Sequence, residues 1–178
     1  VDTIVNSTLT AFDTKQPVRI GAAWEKDWDP SNAVYRDRRS DNNDLMIWDD
    51  QDPNYNKDPY LYLMRIDATD GEPLAVLFSF GIHGTVLDAD NTMISVDATG
   101  HIEMALEDAF DSPVMVMHLQ SATGDVSPAG MDDHYARLES LGARATPSIF
   151  ALWEQTATSE QAISLQTASR HIWQHHSQ

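Results

Sequence analysis

A histidine at the end of an apolar run is the first residue suited to chemistry. His83 follows the run 74–82 and precedes Gly84 and Thr85. A neutral imidazole at the end of a strand can ligate zinc, and a glycine beside it lets a metal or a substrate approach closely. A lone histidine beside a hydrophobic core is more often a structural side chain. The residues around His83 therefore leave a metal site and a structural role both open.

A serine and a carboxylate lie two residues apart in a second polar stretch, GDVSP at 124–128, which follows the apolar run 114–119. Ser127 and Asp125 can bind a polar group of a substrate or orient a water molecule. The same stretch can also form a simple turn in which Asp125 accepts a backbone hydrogen bond. The chain has no Gly-x-Ser-x-Gly motif, so an α/β-hydrolase nucleophile is disfavoured.

Two further groups of residues are suited to contact an anion or a substrate. The stretch SVDATG at 95–100 is typical of a helix start, where Asp97 can cap the helix or help to form an anion cradle. Arg36, Arg38 and Arg39 form a cluster of positive charge in an acidic chain. Their guanidinium groups can clamp an oxyanion or pair with neighbouring carboxylates, and the sequence supports both interpretations.

The segment between the two polar stretches predicts how they are brought together. Its apolar residues recur with a helical period on one face: Ile102, Ala105, Leu106, Ala109 and Phe110. The flanking apolar runs are typical of buried strands, so residues 74–128 are predicted to form a strand–helix–strand crossover unit. Loops at the carboxyl ends of parallel strands share one edge of a sheet, so we expect His83 and Ser127 to lie near each other.

The other strand patterns complete the predicted sheet. A strand at 60–67 is joined to the apolar run by a turn at Asp70-Gly71, which makes an antiparallel hairpin. Alternating or bounded apolar residues predict further strands at 3–9, 18–23 and 163–173. Together these elements predict an α/β fold with a mixed, largely parallel sheet and covering helices.

The remaining segments predict one structural unit, 1–178. One covering helix is predicted to begin at 132–133 and a second at Thr146, which is followed by proline. Residues 25–59 are dense in Asp, Asn and Pro and lack periodicity, so they are predicted to form a long acidic surface loop.

The bulk composition excludes several classes of function. The net charge of −17 argues against nucleic acid or an anionic membrane as a partner, because both are bound through clustered Lys and Arg. The absence of cysteine excludes thiol catalysis, disulfides and thiolate metal sites. No apolar stretch approaches the roughly 18 residues of a transmembrane helix.

Three motifs, taken together, resemble the neutral/alkaline (non-lysosomal) ceramidase family in order and approximate spacing. They are FGIHGT at 80–85, SVDATG at 95–100 and GDVSP at 124–128, of which the last is the most specific. The resemblance implies a zinc-dependent hydrolase that cleaves the amide bond of an N-acyl sphingoid base outside the cytoplasm. A secreted or periplasmic protein is therefore expected.

The resemblance also implies which residues act in the reaction. His83 matches a histidine that ligates the catalytic zinc. Ser127 matches a pocket serine regarded as catalytic, with Asp125 beside it. Arg38, or equally well Arg39, falls near the position of an arginine at the reaction centre. Zinc would activate a water molecule for attack on the amide carbonyl.

The substrate side of the site follows from the same motifs, with some departures from the family pattern. Gly84, Thr85 and Asp97 are expected to contact the substrate. Ala129 stands where the family has Asn, and Val86 stands where it commonly has Ser. These departures affect the predicted lipid specificity and leave the zinc ligand unchanged.

The resemblance predicts that the unit 1–178 is part of a larger catalytic domain and that other polypeptide segments complete the zinc site. The family's remaining ligands come from an upstream His-x-His-Ser-Gly motif and from a downstream Glu and Tyr, and the upstream motif is missing here. The chain opens with Val1, so we expect the middle part of a longer precursor, completed by its remaining segments or by a processed partner chain.

Two alternatives to a ceramidase remain open. The same zinc scaffold can act on another N-acyl amide or on an ester. The chain can also be a non-catalytic, acidic extracellular binding domain whose site has decayed.

Overall fold

The computed structural model describes residues 2–37, 57–89, 91–159 and 167–169. These residues form three helices and six strands, in the order α1 (Asp2–Asp13), β1 (Val18–Lys26), β2 (Tyr35–Asp37), β3 (Tyr60–Ala68), β4 (Pro73–Phe80), α2 (Asp97–Glu107), β5 (Met115–Gln120), β6 (Val126–Pro128) and α3 (His134–Gln155). None of these helices has the length and apolar character needed to cross a membrane.

The main sheet has four strands in the order β1-β3-β4-β5. The predicted α/β class and the mixed sheet are confirmed, because β4 and β5 pair in parallel while β1–β3 and β3–β4 pair antiparallel. The prediction of a largely parallel sheet is wrong. The short Asp70-Gly71 turn joins β3 to β4, so these two strands run antiparallel. A continuous apolar run means that a strand carries apolar side chains on both faces, and this does not determine the direction of its neighbour.

The predicted crossover unit is confirmed as β4–α2–β5. Ile102 and Leu106 of α2 are fully buried against core side chains of the sheet such as Phe78. Helix α3 packs on α2 so closely that a Cβ at Gly142 would lie 2.8 Å from the Ala105 Cβ. These two helices cover one face of the sheet and fix the ends of β4 and β5 relative to each other.

The first helix replaces a predicted strand. Residues 3–9 were predicted to form a strand, but they lie in α1. The apolar residues Ile4, Val5, Leu9 and Phe12 share one side of a helix, and this spacing matches the observed structure. The strand predicted at 18–23 is confirmed as β1, which extends to Lys26.

The two predicted covering helices are one continuous helix, α3. Thr146 does not cap a new helix, because its hydroxyl donates a hydrogen bond to the carbonyl of Gly142 one turn earlier. Pro147 lies inside the helix. The buried side chains Leu138, Leu141, Ala145, Ile149 and Leu152 keep a helical period across the proline, so packing against the sheet maintains the helix through it.

The acidic loop predicted at 25–59 is only partly described. Its first part contains β2, which pairs with β6 in a separate two-stranded sheet. Residues 38–56 lie outside the described residues, as does most of the strand predicted at 163–173. At that end of the chain, Ser159 forms a β-bridge with Ile20. The prediction that 1–178 form one unit stays a prediction.

Candidate functional site

His83 lies just beyond the end of β4 and is half-buried. Its Nδ1 lies 2.9 Å from the carbonyl oxygen of Val126. A carbonyl oxygen can only accept a hydrogen bond, so Nδ1 carries a proton, and in the neutral ring Nε2 carries the lone pair. Among the described residues, Nε2 has no hydrogen-bond partner. This arrangement is the one that metal-ligating histidines use, because the second hydrogen bond fixes the tautomer and the ring orientation.

The hydrogen bond from His83 also confirms that the two predicted polar stretches meet. Val126 belongs to the GDVSP stretch, 43 residues further along the chain. The carboxyl ends of β4 and β5 approach closely at this point, since a Cβ at Gly81 would lie 2.2 Å from the carbonyl oxygen of Ala122. A glycine is therefore required two residues before His83.

Gln120 fixes the backbone next to His83, a role that the sequence did not reveal. The Nε2 of Gln120 donates to the Ile82 carbonyl at 2.6 Å, and its Oε1 accepts from the Ile82 N–H at 3.4 Å. The side-chain amide thus binds both backbone polar groups of Ile82, two residues beyond the end of β4. The only sequence signal was a long amide side chain at the end of an apolar strand.

The stretch that carries Ser127 is a strand rather than a loop. Ser127 pairs with Arg36 of β2, and the Ala129 N–H donates to the Val34 carbonyl at 2.9 Å. Directly opposed residues in an antiparallel pair project to the same side, so Arg36 lies beside Ser127. Arg38, the arginine predicted at the reaction centre, lies outside the described residues.

Arg137 of α3 holds the exit of this strand and was also missed. Its guanidinium group donates to the carbonyl of Ala129 at 2.9 Å and to the carbonyl of Pro128. Burial, with smaller contributions from the guanidinium groups of Arg36 and Arg144, lowers the pKa of Arg137. The guanidinium groups of Arg36, Arg137 and Arg144 therefore lie near one another, together with the carboxylates of Asp97 and Asp132.

Asp97 is buried at the start of α2 and holds the loop that follows His83. Its Oδ1 accepts hydrogen bonds from the N–H groups of Val86 and Ala98 at 3.0 and 2.7 Å, and its Oδ2 accepts from Leu87 at 2.9 Å. Gly84 packs against it, since a Cβ there would lie 3.4 Å from the Asp97 Cβ. The predicted contact of Asp97 with substrate stays a prediction, and the observed contacts are with backbone.

We expect Asp97→Asn to destabilise the chain by about 1–3 kcal/mol, because an amide group cannot accept all three backbone hydrogen bonds and presents a donor to at least one N–H. Asparagine tolerates the positive φ of 49° at this position, so the change isolates the carboxylate. Urea denaturation measures the loss. Asp108→Asn, at the exposed end of the same helix, is the matched control, and an equal loss in both variants would contradict the assignment.

The remaining described histidines have other partners or positions. His118 donates from Nε2 to the Phe80 carbonyl at 2.9 Å, and burial lowers its pKa. His101 contacts the Asp97 carbonyl through Nδ1 at 3.0 Å, and His134 is exposed. Within the described ranges, no group of three or more His, Asp or Glu side chains is close enough to hold a metal ion. His101 thus holds its Nδ1 on a backbone carbonyl as His83 does, and what distinguishes His83 is its position beyond the end of β4, bonded to the GDVSP stretch.

Comparison with known proteins agrees with this geometry. No protein-family model matches the chain. Over 139 residues it is 29% identical to neutral ceramidase A from Dictyostelium discoideum. The fold matches the neutral ceramidase from Pseudomonas aeruginosa with a TM-score of 0.68 at 22% identity, and a ceramidase complexed with C2 with a TM-score of 0.69 at 21% identity.

The chain resembles the neutral ceramidases in both sequence and fold. The resemblance inferred from the three motifs is therefore confirmed. The chain spans only part of the length of the proteins that it resembles. The sequence match covers 71% of this chain but 18% of the Dictyostelium protein. For each solved ceramidase it covers 86% of this chain and 25% of the solved chain.

Proposed function

We propose that the chain forms one wall of the active site of a zinc-dependent amide hydrolase that cleaves the N-acyl bond of ceramide or of a ceramide-like lipid. The observation that carries the proposal is the hydrogen bond from His83 Nδ1 to the Val126 carbonyl, 2.9 Å long. It joins two of the three motifs that resemble the ceramidases, FGIHGT and GDVSP, and leaves Nε2 of the neutral ring with the lone pair that a metal requires.

The residues of this chain fit zinc as a partial site. His83 would supply one ligand through Nε2. When bound, zinc lowers the pKa of a water molecule to about 7 and stabilises negative charge on a carbonyl oxygen. Four-coordinate zinc needs further ligands, so we place them on the remaining segments of a longer protein or on a processed partner chain.

The other predicted residues act on the substrate in this proposal. The Ser127 hydroxyl hydrogen-bonds the amide group, and the Asp125 carboxylate beside it accepts a hydrogen bond from substrate or water. Arg36, opposite Ser127, adds positive potential where the carbonyl oxygen gains charge, and Arg38 is proposed to do the same.

The loop after His83 forms the substrate-binding side. Gly84 and Thr85 are exposed, so their backbone and the Thr85 hydroxyl are accessible to a ligand. Asp97 keeps this loop in place through its contacts with Val86 and Leu87. A secreted or periplasmic location is part of the proposal, because the resemblance implies a reaction outside the cytoplasm.

A substrate panel tests the proposed reaction. The native protein is assayed on N-acyl sphingosine, N-acyl amino acids and lactones, with and without a zinc chelator. We expect chelator-sensitive release of fatty acid from N-acyl sphingosine. If N-acyl amino acids or lactones were cleaved preferentially, the substrate class would be another N-acyl amide or an ester instead of a ceramide-like lipid. No hydrolysis of any substrate by zinc-loaded protein would favour the non-catalytic binding domain.

A further inference from the structure

The four-stranded sheet has a second face that the described helices do not cover. Side chains alternate across a strand, so residues next to the buried core positions of β1, β3, β4 and β5 point away from α2 and α3. On this open face lie Trp24, Tyr62, Leu77, Met115, Met117 and Leu119. Met115 is 64% exposed and Trp24 is 62% exposed. Three of the four strands thus present exposed large apolar groups on the same face.

The open face has the composition of a buried surface. A solvated face of a sheet with antiparallel pairing normally carries polar side chains, whereas β5 presents two methionines and a leucine in succession on this side. An apolar groove of about 340 Å³ runs across it between Trp24, Leu77 and Leu119. Contiguous apolar surface of this kind marks an interaction site.

We propose that this face packs against the remaining polypeptide of a ceramidase-like protein, to which the chain contributes one segment. The superposed region is 86% of this chain but 25% of each solved ceramidase, so a longer protein supplies ample polypeptide to cover the face. The net charge of −17 argues against an anionic membrane as the occupant. The inference rests on the partner segments proposed above and is independent of the reaction and of zinc.

Methionine oxidation tests the proposal without an activity assay. Met115 and Met117 lie on the open face, and Met104 lies on the outer side of α2 with a comparable 55% exposure. Oxidation by hydrogen peroxide follows exposure of the thioether. In the native protein we expect Met115 and Met117 to oxidise at least about tenfold more slowly than Met104. In the recombinant chain 1–178 the three rates should be similar.

Three results would overturn the proposal. Equal oxidation rates in the native protein would mean that the face stays open. If Met115 and Met117 are already protected in the recombinant chain and its native mass is doubled, a second copy covers the face. If they are protected and the mass is that of one chain, the chain's own residues cover it. As a second test, Met117→Glu in the native polypeptide should lower the yield of assembled protein at least about tenfold, and Met104→Glu should not.

Discussion

His83→Asn is expected to lower the kcat/KM for N-acyl sphingosine at least about a hundredfold. The substitution removes the imidazole Nε2 that the hydrogen bond to Val126 prepares for zinc, and a metal ion contributes several kcal/mol to the stabilisation of transition-state charge. The measurement is the initial rate of fatty acid release by the native protein at saturating zinc.

His134→Asn is the matched control for this prediction. His134 is exposed and has a φ of 42°, a conformation that asparagine accepts readily. Its variant should keep wild-type activity. If His83→Asn kept more than about half of the activity while folded, as judged by circular dichroism, the assignment of His83 to the reaction would be wrong.

Lys57→Met is expected to cause a large loss of folding stability, about 3–5 kcal/mol. The Lys57 ammonium is buried and donates three hydrogen bonds, to the Asp29 carbonyl at 2.8 Å, to Asp29 Oδ2 at 3.2 Å and to the Tyr35 carbonyl at 3.0 Å. It also lies 3.9 Å from the centre of the Tyr35 ring. Methionine fills the volume but leaves the buried Asp29 carboxylate without its cation. Chemical denaturation of the chain measures the loss.

Loss of the Lys57–Asp29 pair is expected to affect the candidate site as well, because Asp29 also holds the segment that leads into β2. The Asp29 carboxylate also accepts hydrogen bonds from the N–H groups of Ala33, Val34 and Tyr35, which lead into the strand opposite Ser127. Lys26→Met, at an exposed lysine, is the control and should change stability by less than about 0.5 kcal/mol. Equal effects of the two substitutions would show that the Lys57–Asp29 pair does not hold this segment.

The sequence predicted the parts of the fold that depend on local pattern. The helical period of Ile102 and Leu106 between two apolar runs predicted the crossover unit, and this unit brings His83 to Val126. The Asp70-Gly71 turn predicted the hairpin of β3 and β4. These features follow from periodicity and turn chemistry, which neighbouring residues determine.

The features that were missed depend on contacts between distant residues. Pro147 indicated a helix start, but packing of Ala145 and Ile149 against the core carries α3 through it. The pairing of Ser127 with Arg36 joins residues that are far apart in the chain, and no local signal marks it. Arg137 and Gln120 act by bonding backbone carbonyls, and composition cannot show which carbonyl lies within reach.

We propose that the chain offers His83 to a zinc ion at the edge of the sheet where the FGIHGT and GDVSP motifs meet. The most direct test is an anomalous difference map from crystals of the native protein, recorded above and below the zinc absorption edge. We expect a zinc peak about 2.0–2.1 Å from His83 Nε2, on the side of the Ser127 strand. A fully occupied zinc peak coordinated elsewhere, with His83 Nε2 bonded only to protein or water, would contradict it.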